Sequence, residues 1–187
     1  MKGLAILLAA VGSLLALSSC GSSGGSVVGS SGGGWFASRQ ETAQWLIDSP
    51  RVRFLNRQVS GRRDGASAMD NIKQAAGGSS CRCSYYGRAP GGRVELDEHM
   101  LTGMKKLALE GYSFRVTSVV GGSHSRNSKH YAGLAFDVDT INGARVNSGN
   151  RYYRRFMQRA RALGATELKG PGDRGHSTHV HLAWPRR

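Results

Sequence analysis

The sequence predicts an α+β fold in which a small sheet is flanked by helices. Apolar residues recur at helical spacing in several stretches, and three short runs rich in β-branched and apolar residues follow residue 113. Helices and strands alternate, yet no Gly-rich phosphate loop opens a nucleotide-binding unit.

Each element has a local cause. Ser38-Arg39-Gln40-Glu41 has the form of a capping box, which starts a short helix running to about Ile47 and stopped by Pro50. Asp64-Gly65 can open a second helix with Met69, Ile72 and Ala76 on one face and Gly77-Gly78 at its end. Residues 77–92, rich in glycine, read as loop or boundary. Leu96, Met100, Leu101, Met104, Leu107 and Ala108 mark a third helix, ended by Gly111. Phe114–Val120 is a predicted strand, as are Ala135–Asp139 and Val180–Trp184. Between the last two, Tyr153, Phe156, Met157, Ala160 and Leu163 mark a helix stopped by Gly164.

The N-terminal stretch reads differently. Residues 4–17 form an apolar run preceded by Lys2 and followed by small residues, the layout of a secretory signal peptide over residues 1–19. The run is shorter than the roughly 20 apolar residues of a membrane-spanning helix. Leu17-Ser18-Ser19-Cys20 resembles a bacterial lipobox, which implies a lipidated Cys20 at the mature N-terminus and a chain held to a membrane of the cell envelope. Residues 20–34 then form a Gly/Ser linker. Residues 35–92 are expected as an N-terminal helical extension and 93–187 as the functional domain.

The chain has 187 residues and a formal net charge of +14. That composition excludes a disordered acidic chain, a polytopic membrane protein and a disulfide-dense miniprotein. Twenty of the 26 basic residues are arginine, but no nucleic-acid module or aromatic stacking motif accompanies them. The charge is read instead as suited to acidic envelope partners. With Cys20 lipidated, Cys81 and Cys83 remain; a bridge between residues two apart is a tight ring, and two thiols fall short of a structural zinc site.

Histidine placement carries the chemistry. Five of six histidines follow residue 120, in two clusters: Ser128-Lys129-His130-Tyr131-Ala132-Gly133-Leu134-Ala135-Phe136-Asp137 and His176-Ser177-Thr178-His179-Val180-His181. On strands, His179 and His181 share one face, and so do Ala135, Asp137 and Asp139, while Phe136, Val138, Val180 and Leu182 turn to the core. Two such strands could aim Asp137 and His181 at one point, with His130 from the preceding loop as a third ligand. Two imidazoles and a carboxylate make an open zinc site whose fourth position is left to water.

Ser-x-His-x-x-Gly-x-Ala-x-Asp followed by His-x-His resembles the zinc D-alanyl-D-alanine carboxypeptidase family, within the wider group that holds lysostaphin-type endopeptidases and the hedgehog signalling domain. The resemblance covers about Leu96 to Trp184. It implies a small antiparallel sheet carrying one Zn2+ ion, so that residues 93–187 would be a metallopeptidase domain acting on peptidoglycan peptides. Carried over by position, it implies His130, Asp137 and His181 as ligands and His179 at the catalytic position, with His176 as a further active-site histidine. Relatives carry a Ser-Gly-Tyr-Arg-like turn whose arginine holds substrate; this chain has Ser118-Val119-Val120-Gly121-Gly122-Ser123-His124 there. Arg115 or Arg126 would stand in, with Arg115 or His176 at the oxyanion and Ser128 and Arg126 on the substrate.

The expected reaction is hydrolysis of the terminal peptide bond of a stem peptide, with His179 as general base; Glu167, expected in a loop near Gly170-Pro171-Gly172, is the rival base. The alternatives are an endopeptidase that cuts cross-links by the same chemistry and a zinc-bearing cell-wall-binding module without catalysis.

Overall fold

Strand alternation and one layer of aromatic packing position the histidine clusters. The computed structural model describes residues 38–186, which belong to one compact unit. The expected signal peptide, the lipidated Cys20 and the 20–34 linker lie outside the described residues. No helix among the described residues is long and apolar enough to cross a membrane.

In chain order the elements are α1 (Arg39–Asp48), β1 (Val52–Phe54), α2 (Ala68–Ala76), β2 (Cys81–Arg82), β3 (Arg93–Val94), α3 (Glu98–Leu109) and β4 (Phe114–Ser118). A 3-10 turn at Lys129–Ala132 follows, then β5 (Ala135–Ile141), β6 (Ala144–Arg145), α4 (Tyr153–Ala162), β7 (Glu167–Lys169) and β8 (Val180–Ala183). The protein is α+β with a small sheet, as the alternation of periods implies.

The main sheet runs β1-β4-β5-β8-β7, with β6 paired to β5 at one end. It differs from the all-antiparallel expectation at one edge: β1 pairs β4 in parallel, Val52 opposite Phe114 and Phe54 opposite Val116. Three residues are too few to announce a strand by periodicity, and α2, the β2–β3 hairpin and α3 supply the long connection that a parallel pair needs. Through β1, the stretch before residue 93 therefore contributes a strand to the main sheet. The β2–β3 ladder also crosses residue 92, Cys81 opposite Val94.

The capping boxes explain where the first two helices start. Ser38 and Glu41 cap α1 reciprocally, Glu41 N–H donating to Ser38 Oγ at 3.2 Å and Ser38 N–H to Glu41 Oε2 at 2.7 Å. In α2 the cap is Ser67 with Asp70, not Asp64-Gly65. Asp64 is instead engaged by Gln58 and Ser84. The predicted strand at 114–120 ends at Ser118, because Val119 and Val120 leave the ladder to form the loop described below. Residues 77–92, read as loop, contain β2, and Glu167 lies on β7 rather than in a loop.

Beneath the sheet, Phe114, Phe136 and Trp184 form a stacked layer, with centroids 6.5 Å apart between the phenylalanines and 5.8 Å between Phe136 and Trp184. Phe156 of α4 tilts against Phe114 at 5.2 Å. Trp184 donates its indole N–H to the Leu163 carbonyl at 3.2 Å and presses on α3 at Gly103, where a Cβ would lie 2.3 Å from Trp184 Cζ2. That contact explains a glycine inside a helix, which otherwise costs about 1 kcal/mol relative to alanine.

Gly103→Ala should therefore destabilise the protein by about 1–3 kcal/mol, the clash with a buried ring outweighing the gain in helix propensity. Thermal unfolding of the metal-free chain reads this; an unchanged or raised midpoint would show that Trp184 is not held against α3.

Candidate metal centre

The register of β5 and β8 places Asp137 directly opposite His181, with Phe136 opposite Leu182 and Val138 opposite Val180. The apolar pairs face the core, so the carboxylate and the imidazole share the other face. Ser118 of β4 and Lys169 of β7 lie in the same cross-strand row.

His130 reaches this row from the 3-10 turn. Ser128 caps the turn, its Oγ accepting from His130 N–H at 3.3 Å. Gly133 ends it at φ +71°, and a Cβ there would lie 2.1 Å from the Glu95 carbonyl oxygen, so only glycine fits. The turn is thereby fixed at both ends.

Three donor atoms converge: His130 Nε2, Asp137 Oδ1 and His181 Nδ1. Their separations are 3.2 Å (His130–Asp137), 3.1 Å (His130–His181) and 2.9 Å (Asp137–His181). A tetrahedral divalent ion with bonds of about 2.0–2.1 Å holds its ligand atoms roughly 3.3 Å apart, so small side-chain adjustments would admit one.

The other ring nitrogens settle which atoms point inward. His130 Nδ1 donates to the Val119 carbonyl at 2.6 Å, leaving Nε2 as the lone-pair atom. His181 Nε2 lies on the far side of the ring, 3.7 Å from Glu167 Oε1, with Nδ1 toward the centre. Two imidazole lone pairs and a carboxylate thus face one another, an arrangement that calls for a positive charge among them. Burial alone would raise the Asp137 pKa, but when His130 and His181 carry protons on these atoms in place of a metal ion, their charge and hydrogen bonds hold it well below the usual carboxylate range. Burial likewise opposes charge on His130, yet Asp137 outweighs it and raises the His130 pKa.

His124, His130 and Asp137 also present donor atoms within 4.8 Å of one another, so a His/His/Asp group that could hold a metal ion is present. His124 is poorly aimed for the same ion as His130. Its ring lies on the His130 ring at 3.9 Å and 13°, so an ion on the His130 lone pair stands away from the plane of the His124 lone pairs. Its Nε2 lies 3.0 Å from the Gly121 carbonyl and 3.1 Å from Ser118 Oγ. Burial, with His130 adding to it, lowers the His124 pKa to about 4 and keeps the ring neutral. His181 completes the tighter set.

The group opens into a cleft of about 680 Å³ lined by His176, His179, Ser128, Lys129, Arg145 and Glu167 among others. His176 and His179 lie ring to ring at 4.8 Å, and burial lowers the His179 pKa. Glu167 accepts from Lys169 Nζ at 2.6 Å, which lowers its pKa, and it sits on the Nε2 side of His181, away from the donor centre.

Two sequence-predicted residues lie elsewhere. Arg115 is paired bidentately with Asp139, its Nε donating at 2.8 Å, and does not line the cleft. Arg126 is exposed beside Gly87, Arg88 and Ala89, outside the cleft. The cations that do reach the cleft without a carboxylate within 4 Å, among the described residues, are Lys129 and Arg145. Neither stands out in the sequence, although Lys129 adjoins His130 in the motif. Cys81 and Cys83 are buried free thiols away from the centre; burial pushes the Cys81 thiol up to about 12, and its Sγ donates to the Asn71 carbonyl at 3.1 Å.

No protein-family model, curated protein or solved structure matches the chain. The site stands on its own geometry.

Equilibrium dialysis with Co2+ separates the two possible groups. His181→Ala should abolish stoichiometric binding, whereas His124→Phe, which keeps a ring against His130, should retain it. Loss in the second variant and retention in the first would reverse the assignment.

Proposed function

We propose that the protein is a zinc-dependent peptidoglycan peptidase, most simply one that removes the terminal residue of a stem peptide. The observation that carries this reading is the convergence of His130 Nε2, Asp137 Oδ1 and His181 Nδ1 within 3.2 Å at the wall of a cleft that holds further histidines. Two imidazoles and one carboxylate suit zinc, and three protein ligands leave a coordination position open, the pattern of catalytic sites. The resemblance of the two histidine motifs to the zinc D-alanyl-D-alanine carboxypeptidase family supports the same reading.

Zinc in such a site supplies a Lewis acid for a carbonyl and lowers the pKa of water to about 7. The chain's own residues supply the rest. His179 accepts the proton of the attacking water and delivers it to the leaving amine. His176, beside it in the cleft, is the available donor to the oxyanion. Arg115 is committed to Asp139, so that role passes from it. Glu167, tied to Lys169 and backing His181, orients a ligand rather than handling the proton. Lys129 and Arg145 give the cleft positive charge for an acidic peptide. Lipid anchoring through Cys20 would hold the domain at the envelope where that substrate lies.

Incubation of the zinc-loaded protein with defined monomeric and cross-linked muropeptides, read by mass spectrometry, tests the proposal. Release of one D-Ala from the monomer is expected; cleavage of the cross-linked substrate alone would make it an endopeptidase, and no product from either would leave a binding module. His179→Ala should keep zinc and lose roughly 10²–10⁴-fold in turnover, the span of a general base. Glu167→Gln should be much milder, and the reverse order would transfer the base role to Glu167.

A further inference from the structure

The segment before residue 93 matches no part of the histidine motifs, yet it grips the loop that holds His130. Asn71 of α2 is fully buried. Its Oδ1 accepts from the Val120 N–H at 3.0 Å and the Gly121 N–H at 3.3 Å. Its Nδ2 donates to the Arg82 carbonyl at 3.0 Å, so both ends of the amide are engaged and its orientation is fixed.

The Val119 carbonyl and the Val120 N–H belong to one peptide unit, planar and trans, so they point in opposite directions from a rigid plate. Asn71 holds the N–H end. His130 Nδ1 holds the C=O end at 2.6 Å. A single peptide plane thus joins a side chain of α2 to the imidazole of His130, and hydrogen bonds in such a chain polarise one another. The same loop is pressed onto the N-terminal segment at its next residues. A Cβ on Gly121 would lie 1.9 Å from the Ala66 carbonyl oxygen, and the Gly122 N–H donates to Ser84 Oγ at 2.8 Å.

We propose that Asn71 is the positioning residue of His130, fixing the ring and its Nε2 lone pair through the Val119–Val120 peptide. The proposal rests on the reading of His130 as a metal ligand. Residues 38–92 thereby build the outer support of the metal centre. Outer partners of a ligating histidine are typically worth 10- to 100-fold in metal affinity.

The test is Zn2+ affinity by chelator competition on the full chain, below the melting temperature of every variant. Asn71→Ala should weaken binding about 10- to 100-fold. Asn71→Asp, which keeps the acceptor for Val120 and Gly121, should recover most of it. Gln74→Ala is the control for a merely structural role, since Gln74 ties α2 to Gly65 and Arg82 without touching the loop; it should leave affinity unchanged. Wild-type affinity in Asn71→Ala, or an equal loss in Gln74→Ala, overturns the proposal. His130→Ala separates the two levels: if it binds as wild type, the metal-site reading falls and takes the proposal with it; if only it loses binding, the positioning role alone falls. In the unmutated protein, Zn2+ should slow hydrogen exchange at the Val120 and Gly121 amides, and no slowing there overturns the proposal even if Asn71→Ala does not fold.

Discussion

The site depends first on a register. Asp137 and His181 face each other across β5 and β8 only because Phe136 pairs with Leu182 and Val138 with Val180 on the side that meets the core. A slip of one residue would turn the carboxylate and the imidazole into the apolar layer and expose the aromatic stack. Burial of Phe136 against Phe114 and Trp184 therefore fixes the chemistry above the sheet as well as the fold beneath it. The close seat of Trp184 on Gly103 extends that constraint to α3.

Above the sheet, backing partners decide what the histidines can do. Each of the two converging rings has its second nitrogen turned to an oxygen, Val119 for His130 and Glu167 for His181. His130 Nε2 and His181 Nδ1 thus turn toward Asp137 Oδ1, and His124 lies stacked aside as a neutral face. Charge pairing works in the same direction. Arg115 with Asp139 and Lys169 with Glu167 neutralise neighbours of the centre, leaving Lys129 and Arg145 as the free positive charges of the cleft among the described residues.

What is legible in the sequence follows from local physics. The alternation in Ala135–Asp139 and Val180–Trp184 is enough to bring Asp137 and His181 to one face, and the Ser38 capping box sets the start of α1. Other features depend on partners far along the chain. Nothing near Arg115 signals that Asp139, 24 residues later, takes its guanidinium. β1 is three residues long and finds its place only against β4. Asp64 has the look of a helix start, but Gln58 and Ser84 claim it in the folded chain. Asn71 carries no motif at all; its importance comes from 49 residues of separation closed by the fold.

The central claim is that His130, Asp137 and His181 bind one zinc ion with a position open to solvent. X-ray absorption at the zinc edge on the metal-loaded protein tests it most directly. The expected result is one zinc per chain, a first shell of nitrogen and oxygen at about 2.0–2.1 Å, and outer scattering from two imidazoles. A sulfur shell at about 2.3 Å, which would move the ion to Cys81 and Cys83, or scattering without imidazole, would contradict it.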